Sequence, residues 1–145
     1  MRAIFSADEG GFDADEYAVV CWVAGDGHYL TFQRDAEGSA GGWGIYLEYD
    51  DQANGGYECV AACRLGPRSL SVDLAQPLND RLAEITGFDV ALRLAPGQWE
   101  AVRDGLRQVF RGHHNVLVET EPGATADGGA CRLSGIRSSL SPRRC

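Results

Sequence analysis

Four short segments of this chain alternate apolar and polar residues with a period of two, and that periodicity commits most of its middle to half-buried β-strands. In WGIYLEYD (residues 43–50), Trp43, Ile45, Leu47 and Tyr49 fall on one side, with Tyr46, Glu48 and Asp50 on the other. YECVAACRL (57–65) sets Cys59, Ala61, Cys63 and Leu65 against Glu58, Val60, Ala62 and Arg64. SLSVDLA (69–75) turns Leu70, Val72 and Leu74 inward, and FDVALRL (88–94) alternates again and is expected to rejoin the sheet. Earlier in the chain, YAVVCWVA and HYLTFQR flank a GDG turn and read as a β-hairpin, with His28, Leu30 and Phe32 on one face. Between the strands, DAEGSAGG (35–42) is small and polar and reads as a loop. The predicted outcome is an antiparallel β-meander with one apolar face.

That face needs a cover, and the chain supplies one. PGQWEAVRDGLRQVFRG (96–112) places Trp99, Val102, Leu106, Val109 and Phe110 on one helical stripe, with Pro96 in the first turn and Gly112 able to cap the end. PLNDRLAEITG (77–87) suits a short helix or irregular turn with Leu78, Leu82 and Ile85 inward, and HHNVLVE a short edge strand. The fold class expected is α+β: an antiparallel β-meander sheet with one long C-terminal amphipathic helix packed on one face. With 145 residues, one domain over 1–118 is expected. Residues 119–145 lose all periodicity, become small, polar and arginine-tipped, and are expected to form a flexible tail.

Charge is distributed unevenly. The net charge is -8; residues 1–60 hold only Arg2 and Arg34 against twelve acids, a net of -10, whereas residues 61–145 come to +2. An acid-rich surface repels phosphate backbones, so direct nucleic-acid binding through the first part is not expected; such a surface attracts a basic protein and speeds the encounter. No apolar run approaches the roughly 20 residues that span a bilayer, and the opening MRAIFSADEGG lacks the apolar core of a secretory signal. A cytoplasmic protein with no membrane association is expected. Five cysteines, an odd number without an export signal, point to reduced thiols rather than a disulfide framework.

Familiar catalytic chemistry finds little support. DDQANGG (50–56) nearly meets a calcium-loop pattern through Asp50, Gln52, Asn54 and Gly55, but the position requiring a bidentate carboxylate is Ala61, and strands flank the loop where helices should. The stretch is expected instead to be a strand-to-strand turn in which Asn54, Gly55 and Gly56 bend the chain and Asp50 and Asp51 face outward. Cys59 and Cys63 on one strand face would stand about 13 Å apart, too far to share a zinc ion, and are better read as small buried hydrophobes. His113 and His114 suit the polar end of the helix. No G-x-S-x-G elbow is present, and GDG and AGGWG lack the helix that makes a glycine loop cradle phosphate. No cofactor, metal or catalytic residue is expected.

The run GIYLEYDDQANGGYECVAACRLGPRSLSVDLAQPL, followed by TGFDVALRLAPGQWEAVRDGLRQVFRG, resembles the immunity proteins of bacterial polymorphic-toxin systems, in particular the immunity protein ten family. The likeness lies in an order of features across residues 43–112. A strand ends in acid and amide residues, a G-G-Y turn leads to a second strand, and a basic turn precedes an L-x-V-x-L strand. A D-V-x-L strand then runs into a helix ending in V-F. The resemblance implies a non-enzymatic antidote that binds and neutralises a cognate toxin domain. Many such toxins, nucleases among them, carry basic grooves, which an acidic partner can occupy as a mimic of the polyanion. The residues expected to contact the partner are Tyr46, Glu48, Asp50, Asp51, Asn54, Tyr57 and Glu58, tyrosine anchors among acids. Two other readings stay open: a structural interaction module that self-associates through a sheet edge, and a small hydrolase using Cys59, Cys63, His113 or acids of the meander.

Overall fold

The computed structural model describes residues 1–35, 44–113 and 115–120. The predicted loop at 35–42, Trp43, His114 and the tail beyond Thr120 therefore lie almost wholly outside the described residues. Within them the class is α+β, and the strands divide into two five-stranded sheets rather than the single meander expected. The first sheet has the order β1–β9–β8–β7–β10, built from β1 (Arg2–Ala7), β7 (Val60–Leu65), β8 (Ser69–Leu74), β9 (Gly87–Leu92) and β10 (Leu117–Glu119). The second runs β2–β3–β4–β5–β6 in chain order, from β2 (Glu9–Ala14), β3 (Ala18–Gly25), β4 (His28–Asp35), β5 (Ile45–Tyr49) and β6 (Asp51–Tyr57). α1 (Pro96–Val109) is the one helix longer than a single turn among the described residues.

The second sheet is antiparallel throughout, whereas the first is mixed. Its outer strands β1 and β10 run parallel to β9 and β7. Parallel neighbours need a long crossover, and β1 reaches β9 only after most of the chain has intervened, a pairing that local periodicity does not reveal. β1 and β2 are not among the strands expected from the sequence. A close approach explains one glycine of β2: a Cβ on Gly10 would fall 2.7 Å from Val102 Cγ2 of the helix.

Several elements match their sequence patterns. The β3–β4 hairpin turns on Asp26 and Gly27, both at positive φ (55° and 80°), which is the two-residue geometry an Asp-Gly pair favours. Asn79 caps a single 3-10 turn at Asp80–Leu82, its side chain accepting from Leu82 N at 2.9 Å. Gly112 takes a positive φ of 89° just past the helix. The helix itself is shorter than predicted, 14 residues, because the chain leaves helical geometry at Phe110.

Two local corrections bear on the site. DDQANGG (50–56), expected to be a turn bent by Asn54, Gly55 and Gly56, belongs from Asp51 onward to strand β6 (Asp51–Tyr57). The reversal falls before those residues, at Asp50 (φ 65°), with a register shift opposite Glu48 and Tyr49. Ala61, expected inward with Cys59 and Cys63, is exposed, because an irregularity between Val60 and Ala62 flips it out of the alternation.

One core joins both sheets and the helix. Cys21 and Val23 of β3, Leu30 and Phe32 of β4, and Ile45 and Leu47 of β5 are buried on the inner face of the second sheet. α1 covers that face over β2 and β3 through Val102, Leu106 and Val109, and Phe110 meets Phe32 at 6.0 Å between ring centroids. The first sheet covers the rest of that same inner face: Tyr49 packs on Phe88 at 4.8 Å and on Phe5 at 6.4 Å. No helix of the described residues is long and apolar enough to cross a membrane.

Candidate interaction surface

Since the helix and the first sheet both pack on the inner face of the second sheet, the residues of opposite parity make up an outer face on which no described element lies. Strand register puts Gly11 beside Trp22, Trp22 beside Thr31, Thr31 beside Glu48, and Glu48 beside Gly55; a parallel row joins Asp13, Val20, Gln33, Tyr46 and Tyr57. Alternation on a pleated strand keeps these side chains together on one side.

Two aromatic rings of this face lie against cross-strand glycines. A Cβ on Gly55 would collide with the Tyr46 phenol at 2.0 Å, so that glycine makes room for the ring, whereas one on Gly11 would meet the Trp22 ring at an ordinary contact distance of 3.6 Å. Tyr46 and Tyr57 are in contact at 5.1 Å between centroids, and Tyr57 is 44% exposed. At the centre, the Glu48 carboxylate accepts the Tyr46 hydroxyl at 2.7 Å and also the Tyr29 hydroxyl. Burial and these bonds to Glu48 push the Tyr46 phenol up to about 12 and raise that of Tyr29 as well, so both remain neutral donors at physiological pH.

The charged side chains of this face are all acidic. Glu9 and Asp13 stand exposed on β2, Asp35 ends β4, and Glu48 lies at the centre. Arg34, the cation nearest in sequence, has inner-face parity; its Nη1 donates to the carbonyls of Gln108 and Arg111 at the end of α1.

Of the seven residues predicted to contact a partner, Tyr46, Glu48 and Tyr57 come together on this face. Asp51 is exposed at its margin, near enough for its charge to raise the Tyr29 phenol. The other three are engaged elsewhere. Asp50, expected to face outward, turns toward the start of β4: Oδ1 accepts from Tyr29 N at 3.0 Å and Oδ2 lies 2.7 Å from His28 Nδ1. Asn54 accepts from Asn79 Nδ2 at 2.9 Å, which fastens β6 to the 3-10 turn. Glu58 makes the turn after β6 at φ 58°, its carboxylate against Gly44. Sequence reasoning missed Trp22, Tyr29, Glu9 and Asp13. Trp22 and Tyr29 had a signal, since they alternate with Cys21, Val23 and Leu30 in the predicted hairpin; β2 had none.

The described cysteines are free and buried. Burial raises the thiol of Cys21 to about 12 and that of Cys63 further still, so neither offers a thiolate at neutral pH. His113 lines an open recess of about 280 Å³ with Arg107, Phe110, Arg111 and Leu117, and no cysteine lines it with them. Among the described residues no three His, Cys, Asp or Glu side chains converge on a point that could hold a metal ion. The chain matches no protein-family model, and no curated protein matches it.

Proposed function

We propose that this protein is a binding protein of the immunity type, which neutralises a cognate toxin domain by covering a basic site with the outer face of its second sheet. The observation that carries this reading is the pairing of aromatic side chains with acids, and with no cation among the described residues, on a sheet face that no described element covers. The aromatic rings bring large rigid area at low entropic cost, and the acids steer a basic partner into place. Cys59 and Cys63, the nucleophiles that a hydrolase reading would use, are buried. The resemblance of residues 43–112 to immunity proteins supplies the partner class.

Co-purification with the toxin domain encoded beside it, followed by an activity assay of that toxin, tests the proposal; a toxin left fully active by excess protein would end it. Among the described residues Glu9 and Asp13 make no side-chain hydrogen bond or ion pair, so their reversal isolates steering. The double change Glu9→Arg, Asp13→Arg should slow association about tenfold at low salt and flatten its salt dependence, as read by stopped-flow binding. An unchanged association rate would move the interface off this face.

A further inference from the structure

The turn between β7 and β8 and the segment joining β9 to α1 run side by side, tied by Leu92 N donating to Arg68 O at 2.9 Å. A recess of about 530 Å³ opens there, lined by Pro67, Arg68, Arg93 and Leu94 among others. A second, of about 350 Å³, is lined by Pro67, Leu94, Pro96, Trp99 and Arg103. Pro67 and Leu94 belong to both, so the two are halves of one trough, basic at one end and aromatic at the other.

Its walls are set before any ligand arrives. Two prolines stiffen the backbone, the Trp99 indole Nε1 donates to Gly66 O at 3.0 Å, and the Arg103 guanidinium stands 5.6 Å from the Trp99 ring centroid. Arg103 is also paired with Asp104 at 3.0 Å. Arg68 and Arg93 differ from it: both are exposed, and neither has a side-chain hydrogen bond or ion pair among the described residues. Two unpaired guanidiniums in a net acidic protein, beside an apolar slot, are the complement of carboxylates flanking an apolar side chain.

We propose that this trough docks an acidic peptide segment of a partner protein, its carboxylates paired with Arg68 and Arg93 and a neighbouring apolar side chain resting against Trp99, Pro67 and Leu94. A nucleic acid fits less well. Its binding rests on neutralising a long run of phosphates, whereas the trough offers two unpaired guanidiniums beside an apolar slot, which suits a few carboxylates flanking an apolar side chain. The trough is made by elements other than those of the aromatic face, and the proposal stands independently of the toxin reading.

The test is an NMR titration of the full ¹⁵N-labelled chain with a synthetic peptide alternating glutamate and leucine, and separately with an oligothymidylate of equal charge. The peptide should produce saturable shifts at the Trp99 indole and at the Arg68 and Arg93 amides. Arg68→Gln with Arg93→Gln should weaken binding about tenfold or more. Both residues are exposed, so the remaining amide spectrum should stay in place; if the double variant does not fold, Arg93→Gln alone is read. Absence of saturable shifts, shifts confined to other residues, or equal affinity of the variant would overturn the proposal. So would tighter binding of the oligothymidylate at the same signals. Shifts that depend on protein concentration alone would assign the trough to a second copy of the chain and overturn it equally.

Discussion

Asp50 holds a left-handed backbone conformation that costs an ordinary L-residue roughly 1–2 kcal/mol, and its carboxylate offsets that by bonding Tyr29 N and His28 Nδ1. Asp50→Ala removes both partners and keeps the strained φ, so a stability loss of about 1–3 kcal/mol is expected. Asp50→Asn retains the bond to Tyr29 N and tolerates the backbone, so it should lose roughly half as much; urea unfolding of the two variants checks the order. Asp50 was legible as an acid in a reversal but not as the residue making it, because its partners lie more than twenty residues away in another strand. Glu48 offers a second measurement. Burial is the larger cause of the raised Tyr46 phenol and the bond to Glu48 the next. Glu48→Gln should therefore lower the titration midpoint of Tyr46 from about 12 while leaving it above the ordinary tyrosine value of about 10, as followed by phenolate absorbance. A midpoint that does not move would remove Glu48 as a cause.

At the scale of elements, α1 can lie close on β2 and β3 because Gly105 faces them. A Cβ there would fall 2.5 Å from Phe12 Cβ and 3.0 Å from Cys21 Cβ, atoms fixed to strand backbone that cannot swing aside. Gly105→Ala would gain about 1 kcal/mol of helix propensity, but forcing apart a close-packed interface costs about 1–3 kcal/mol. Net destabilisation is the expected outcome, with a lower thermal midpoint, and a stabilised variant would show that the helix can shift outward freely. The stripe of α1 was readable from a period near 3.6, and so was its need for an apolar sheet face. The distance of approach was not, since it depends on residues brought opposite Gly105 by the fold.

The whole molecule is closed by its first residues. Met1 N donates to Glu84 O at 3.0 Å, and Arg2 on β1 bonds Asp89 on β9, with Asp73 and Ser71 on β8, while Arg64 on β7 reaches Asp73 and Ser71 as well. This network ties four strands of the first sheet across their outer surface. Hydrogen bonds to Arg2 hold the Asp89 carboxyl, and those to Arg64 and Arg2 the Asp73 carboxyl, below the ordinary carboxylate value. A depressed folded pKa adds stability at pH above the unfolded value of about 3.9, and that stability is lost as pH falls through the folded value. Arg2→Ala should cost about 1–2 kcal/mol at neutral pH, reduced by the partial exposure of the pairs, and should move the acid-unfolding midpoint to higher pH. Equal acid sensitivity of variant and parent would leave the network without a role in pH stability. What the amino-acid sequence determined by itself was local: the strand periodicities, the Asp-Gly hairpin, the amphipathic helix and the concentration of acids in the first 60 residues, all set by neighbours within a few positions. Tertiary structure alone decided that the strands form two sheets, that β1 pairs with β9 some eighty residues later, and that Trp22, Tyr29, Tyr46 and Glu48 meet on a face that no described element covers. Those outcomes depend on which distant surfaces bury each other, and a pattern of period two says that a strand has two faces without saying which one the rest of the molecule will cover.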